Sequence, residues 1–266
     1  MVIAILLVCF LLNIAGHENI LIGILNTLLL FLSIAFYLKF SNQKLSSTKL
    51  LLLIGAIPIF SHNYNVLTVL LAIGICVLLL LYFSISRFKN IFIFIVLFYI
   101  LVASLYANRL VELPFSLQSS QLIFSDNWIN LYISQMQREA LYVPYKIRLL
   151  LFNGSVYSYV LLSKMASLYT FKNLYDVLLI ANLYPLVKGL MLDFKDWNRS
   201  KTLLIFFVLL ISFTTVISRR VDIFNTFVLL SPFLMYFTLK GFKSINKIVY
   251  LILFVLSIII VTTPFE

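Results

Sequence analysis

The sequence predicts an all-α protein, a polytopic transmembrane helical bundle of about nine spans whose long external loop carries amphipathic interfacial helices. Three observations predict it. Of 266 residues, 63% are hydrophobic and only 11% charged, with a mean hydropathy of +1.09. A soluble domain of this length carries roughly a quarter of its residues charged, so much of the apolar area here has no destination except lipid. Nine apolar runs approach the roughly 20 residues that a hydrocarbon core of about 30 Å requires. When these runs alternate across a bilayer, the basic short loops all fall on one side.

The runs occupy residues 1–15, 20–38, 50–60, 66–85, 91–107, 174–192, 202–217, 223–239 and 248–263. The first reads as a retained helix rather than a cleaved leader, because no Lys or Arg precedes its apolar stretch. Several runs are short and borrow flanking Ser, Thr, Asn and Tyr to complete a crossing. The run at 50–60 contains Pro58.

Placing Lys39, Lys44 and Lys49 inside also places Arg87 and Lys89, then Lys195, Arg199 and Lys201, then Lys240, Lys243 and Lys247 inside. The N-terminus is then inside. This alternation requires that the stretch from Asn108 to Asn173 make no net crossing, so it is expected as an external loop. Twelve of the 20 basic residues and two of the nine acidic ones fall inside, a net +10, which leaves +1 outside. The overall +11 is therefore topological. With no basic run of five or more, nucleic acid is not an expected partner.

Within the loop, Ile129, Ile133, Met136 and Ala140 recur at helical spacing, which predicts an interfacial helix over 129–142 anchored by Trp128. A second is expected over 155–171, with Leu161, Met165 and Leu168 on one face and Lys164 free to snorkel. Asn153-Gly154-Ser155 reads as the turn between them. The whole chain is one transmembrane domain.

Cys9 and Cys76 fall in apolar runs and read as small hydrophobes. Two His and two Cys make a zinc site improbable, and no Gly-rich phosphate loop, H-E-x-x-H or G-x-S-x-G occurs. Neither a metal nor a cofactor is expected.

Four outward-facing clusters carry the polar chemistry: His17 and Glu18, the Ser61-His62-Asn63-Tyr64-Asn65 turn, the external loop, and Ser218-Arg219-Arg220-Val221-Asp222. The last places two guanidinium groups between apolar runs on the side that disfavours them. A guanidinium keeps its charge, so it needs a partner. Either Asp222 is that partner, or the arginines form an anion site through fork-shaped, charge-assisted hydrogen bonds. His62 is either a hydrogen-bonded loop residue or a base titrating near neutrality. Glu18 is either a base or a helix-capping charge. In the loop, Arg138, Glu139, Lys146 and Arg148 are either a solvated face at the headgroups or substrate ligands.

Phe60-Ser61-His62-Asn63-Tyr64 resembles the outer His-bearing turn of bacterial polysaccharide repeat-unit polymerases of the Wzy and EpsG type. Ile217-Ser218-Arg219-Arg220-Val221-Asp222-Ile223-Phe224, followed by an apolar run containing Pro232, resembles the Arg-bearing turn and next helix of the same group. The two motifs cover about a tenth of the chain. Where such proteins often carry an Arg before the His-bearing hairpin, this sequence has His17-Glu18-Asn19.

The resemblance implies a glycosyltransferase in a bacterial cytoplasmic membrane that moves an undecaprenyl-diphosphate-linked glycan onto another lipid-linked repeat unit, in O-antigen, capsule or exopolysaccharide synthesis. On that reading Arg219 and Arg220 hold the diphosphate and His62 or Glu139 is the base. Glu18, Tyr64, Arg138, Lys146, Arg148 and Asp222 contact substrate. Lipid-linked oligosaccharide, membrane lipids and a chain-length regulator or other envelope-assembly proteins are the implied partners. Two alternatives stand beside it: a GT-C-type lipid-carrier glycosyltransferase using Glu18 as base, and a non-enzymatic polysaccharide or lipid exporter or accessory subunit.

Overall fold

A computed structural model describes residues 20–41, 65–84, 89–112 and 116–262. The spans expected at 1–15 and 50–60, with Glu18, His62 and Tyr64, lie outside the described residues. Among those described, nine α-helices form: α1 (Ile20–Ser41), α2 (Val66–Ser84), α3 (Lys89–Ala107), α4 (Asn127–Glu139), α5 (Tyr145–Leu168), α6 (Phe171–Lys195), α7 (Arg199–Ile217), α8 (Ile223–Gly241) and α9 (Lys247–Thr262). Five of them, α1, α2, α3, α7 and α8, are long and apolar enough to cross a membrane, which makes this a multi-pass membrane protein. The expected spans at 174–192 and 248–263 are helical, within α6 and α9, but neither is both as long and as apolar as those five.

Helix α8 is the axis of the bundle. From Thr226 to Leu239 every residue is buried, because α6, α1, α2, α7 and α3 surround it. Two of its hydroxyls turn back on the backbone, Thr226 donating to the Asp222 carbonyl at 2.7 Å and Thr238 to the Leu234 carbonyl at 2.8 Å. Ser33 and Thr27 do the same in α1. In an apolar setting this internal satisfaction lowers the cost of burying a hydroxyl. Phe36 and Phe40 of α1 meet Phe83 of α2 and Tyr236 of α8, so aromatic rings fill one end of the core.

Helices α6 and α8 cross backbone to backbone. A Cβ on Gly189 would lie 1.9 Å from the Phe237 carbonyl oxygen, and one on Gly241 would lie 1.8 Å from that of Pro185. Only glycine fits at either position.

The bundle has two chemically distinct ends. The C-terminal ends of α1, α2 and α8 and the start of α7 meet at one, where Lys39, Phe83, Asn198, Lys201 and Lys240 line a common cavity. The ends of α3 and α7 and the start of α8 meet at the other, where Asn108 donates to Thr215 at 3.1 Å and Thr215 contacts Thr226 at 3.1 Å. Helix α6 runs from the second end to the first: Tyr169, just before it, stacks edge-on against Phe227, and Asp193 near its C-terminus pairs with Lys240. Both boundaries of the segment from Asn108 to Tyr169 therefore lie at the arginine-bearing end, as the charge pattern requires.

That segment differs in detail from its sequence reading. Helix α3 closes with Leu110 donating to Leu105 and Arg109 to Tyr106, a Schellman pattern that holds Arg109 at φ 55°. A two-residue hairpin pairs Val111–Glu112 with Ser116–Leu117. Helix α4 covers Asn127–Glu139, close to the expected 129–142, and Trp128 is 81% exposed. The expected turn at Asn153-Gly154-Ser155 is instead the middle of α5, a single helix over Tyr145–Leu168. Asn153 accepts a hydrogen bond from Gln137 of α4 at 3.0 Å, which occupies the side chain that would otherwise fold back into a turn.

Candidate functional site

The turn between α7 and α8 is built from both sides. Asp222 accepts from the Asn225 backbone at 3.1 Å and its side chain at 2.7 Å, so it caps the N-terminus of α8. It is not the partner of the arginines, which corrects that alternative. Both of its oxygens are taken up by Asn225 at its own helix N-terminus, where the free N–H groups and the helix dipole favour a carboxylate.

The arginine partner comes from the segment between α3 and α5. Arg219 Nε lies 3.5 Å from Asp126 Oδ2, while the other Asp126 oxygen accepts from the Trp128 N–H at 3.0 Å and caps α4. The Arg219 N–H donates to the Gln121 carbonyl at 2.6 Å, and Leu122 bridges Ser218 in antiparallel fashion. Lys164 closes the turn from α5, donating to the Ser218 carbonyl at 2.9 Å and the Arg219 carbonyl at 3.1 Å. Its ammonium is thus turned inward, a correction to the expectation that it snorkels. Burial pulls it below the ordinary lysine value, against an opposing pull from Asp126.

Arg220 is exposed beside this cluster and makes no ion pair among the described residues. Helices α4 and α5 border an apolar groove of about 570 Å³ lined by Trp128, Ile129, Tyr132, Met136, Val156 and Tyr159. The groove begins two residues beyond Asp126. Above it, Tyr157 donates to Asn130 at 2.7 Å. Burial, then the Asp126 charge, raises the Tyr157 phenol above its usual value.

The other external candidates gather elsewhere. Arg148 donates to the Gln137 carbonyl at 3.0 Å and lies over the Tyr145 ring at 5.7 Å. Glu139 accepts from Gln135 at 3.0 Å, and Arg138 and Lys146 are exposed. These four sit at the tip of the α4–α5 hairpin. Arg138 is roughly 18 Å along α4 from Asp126, at 1.5 Å per residue. Arg219 and the hairpin tip are two places, not one.

Sequence reasoning missed Lys164 and Asp126 as partners of the turn. An Asp directly before Asn127-Trp128 carries a capping signal that could have marked Asp126. Nothing local marks Lys164. It also missed a buried cluster at the opposite end, where Asp193 meets Lys201 and Lys240. Among the described residues no group of His, Cys, Asp and Glu could hold a metal ion. No protein-family model, curated protein or solved structure matches the chain.

Proposed function

We propose that this chain is a membrane polymerase of polysaccharide repeat units, transferring an undecaprenyl-diphosphate-linked glycan onto another lipid-linked repeat unit. The observation that carries the proposal is the pairing of Arg219 with Asp126, the cap of the helix whose Trp128, Ile129 and Tyr132 line the apolar groove, with Arg220 exposed on the same turn and in no ion pair among the described residues. The pair would offer an amphiphile a cationic turn for its anionic head and an apolar groove, linked through Asp126, for its tail.

In the proposed reaction, a sugar hydroxyl of the acceptor attacks the anomeric carbon of the donor. The bond from that carbon to the diphosphate oxygen breaks, and the lipid diphosphate leaves with the bonding pair. Arg220, with Arg219 behind it, stabilises the charge that develops there. The hydroxyl proton passes to a base. His62 is the candidate, because Glu139 at the hairpin tip lies several sugar rings from Arg219. Arg138, Lys146 and Arg148 then meet the distal part of a glycan or the headgroups around it.

On this reading the arginine end faces outward from a bacterial cytoplasmic membrane and the lysine end inward, with about nine spans and the N-terminus inside. The parallel course of α1 and α2, which both end at the lysine side, supports a crossing between them. The exporter alternative draws on the buried charges of Asp193, Lys201 and Lys240, but these sit at helix ends rather than mid-span. Deleting the gene tests the proposal through glycan length. A polymerase loss leaves single repeat units at the outer surface, an exporter loss leaves them trapped inside, and unaltered chain length contradicts both.

A further inference from the structure

We propose that the lysine end of the bundle holds a second binding site, one for a phosphate-bearing anion. It is independent of the reaction assigned to the arginine end. A cavity of about 520 Å³ opens there, with Lys39, Lys201, Lys240, Asn198 and Ser200 in its wall.

The charge stoichiometry points to the ligand class. Asp193, 1% exposed, sits beneath Lys201 and Lys240; its Oδ1 is 3.3 Å from Lys201 Nζ and in direct contact with Lys240 Nζ. Tyr236 donates to the same oxygen at 3.3 Å. One carboxylate thus serves two ammonium groups, and although Lys201 also donates to the Asp196 carbonyl, one positive charge is left without a counter-charge. Lys201 is itself only 8% exposed, so the excess positive charge belongs to the wall of the cavity and not to a solvated loop. Lys39, exposed at the rim of the cavity, adds a solvated charge that makes no ion pair among the described residues. An uncompensated cation in a partly desolvated wall is costly and calls for an anion.

The remaining wall suits phosphate. Asn198 caps α7, so the positive end of that helix dipole faces the same space. The Ser200 hydroxyl offers a neutral donor beside three point-charge donors. The basic residues expected from the positive-inside rule alone, such as Lys243 and Lys247, are exposed and stand outside the cavity. The same chemistry serves a soluble phosphate ester or the headgroup of an anionic lipid.

The test uses the full-length protein in nanodiscs. In phosphatidylcholine discs, inorganic pyrophosphate is titrated while the melting temperature is followed. In discs containing phosphatidylglycerol, native mass spectrometry counts retained lipid. A saturable pyrophosphate shift, weakened at least tenfold in Lys39→Gln and Ser200→Ala and unchanged in Lys243→Gln, supports the site with a soluble ligand. Retained phosphatidylglycerol that falls in Lys39→Gln but not in Lys243→Gln supports it with a lipid ligand. Absence of both, or equal loss in Lys39→Gln and Lys243→Gln, overturns it. Lys39 is exposed, so its replacement leaves folding intact.

Discussion

Arg219 and Asp126 join two distant parts of the chain, the turn between α7 and α8 and the N-cap of the α4–α5 helical hairpin, across 3.5 Å. The same carboxylate caps α4. One side chain therefore sets both the position of a guanidinium and the point where an amphipathic helix begins.

Replacing Asp126 separates these roles. Asp126→Ala removes the cap as well as the pair and costs about 0.5–2 kcal/mol of local stability from the cap alone. The partly exposed ion pair adds no more than about 1 kcal/mol. Limited proteolysis between Ala140 and Pro144 should accelerate in Asp126→Ala and return toward wild type in Asp126→Ser, which caps without charge. Equal protection in all three proteins would show that the hairpin is held elsewhere.

Lys164→Met strips the donor from two carbonyls of the arginine turn. The Ser218 carbonyl is partly buried and costs about 1–3 kcal/mol when unsatisfied, whereas the exposed Arg219 carbonyl is taken up by water. Faster hydrogen exchange at the Ser218–Val221 amides is expected, with partial recovery in Lys164→Arg. Unchanged exchange would mean that the strand-like contact with Gln121 and Leu122 holds the turn by itself.

Two glycines give opposite results. Gly189→Ala drives a methyl into the Phe237 carbonyl and should lower the melting temperature by several degrees. Gly154→Ala places a methyl where nothing lies within 4 Å, inside α5. It should stabilise by about 0.5–1 kcal/mol through helix propensity. Thermal scans in detergent read both. Stabilisation by Gly189→Ala would contradict the close crossing of α6 and α8.

Asp193→Asn leaves the buried Lys201 and the half-buried Lys240 without a carboxylate and should cost about 3–5 kcal/mol. The double replacement with Lys240→Met recovers part of that loss, since it removes one stranded charge. A single variant as stable as wild type would place the lysines in solvent.

The apolar runs were enough to locate all five long apolar helices, because lipid leaves the backbone few options but helix and imposes a length. Alternation of basic loops correctly grouped Lys39, Lys201 and Lys240 at one end. What the sequence did not disclose are choices among competing local partners. Asp222 had both a helix N-terminus and two arginines within reach, and the nearer N–H groups won. Asn153-Gly154-Ser155 has turn chemistry, yet pairing with Gln137 across the hairpin keeps α5 continuous. Lys164 could reach water or the turn, and two carbonyls at the end of α7 decided it. Each outcome depends on a residue remote in sequence, which periodicity does not encode.

Glycan chain length in cells expressing Arg220→Ala tests the central claim most directly. With the protein present in the membrane at wild-type level, the account predicts single repeat units and a loss of polymerisation on the order of 100-fold or more, as expected when a group stabilising a leaving anion is removed. Arg220→Lys retains the charge without the fork and should recover only part of it. Polymer of normal length in Arg220→Ala would contradict the assignment of this turn as the site that holds the diphosphate.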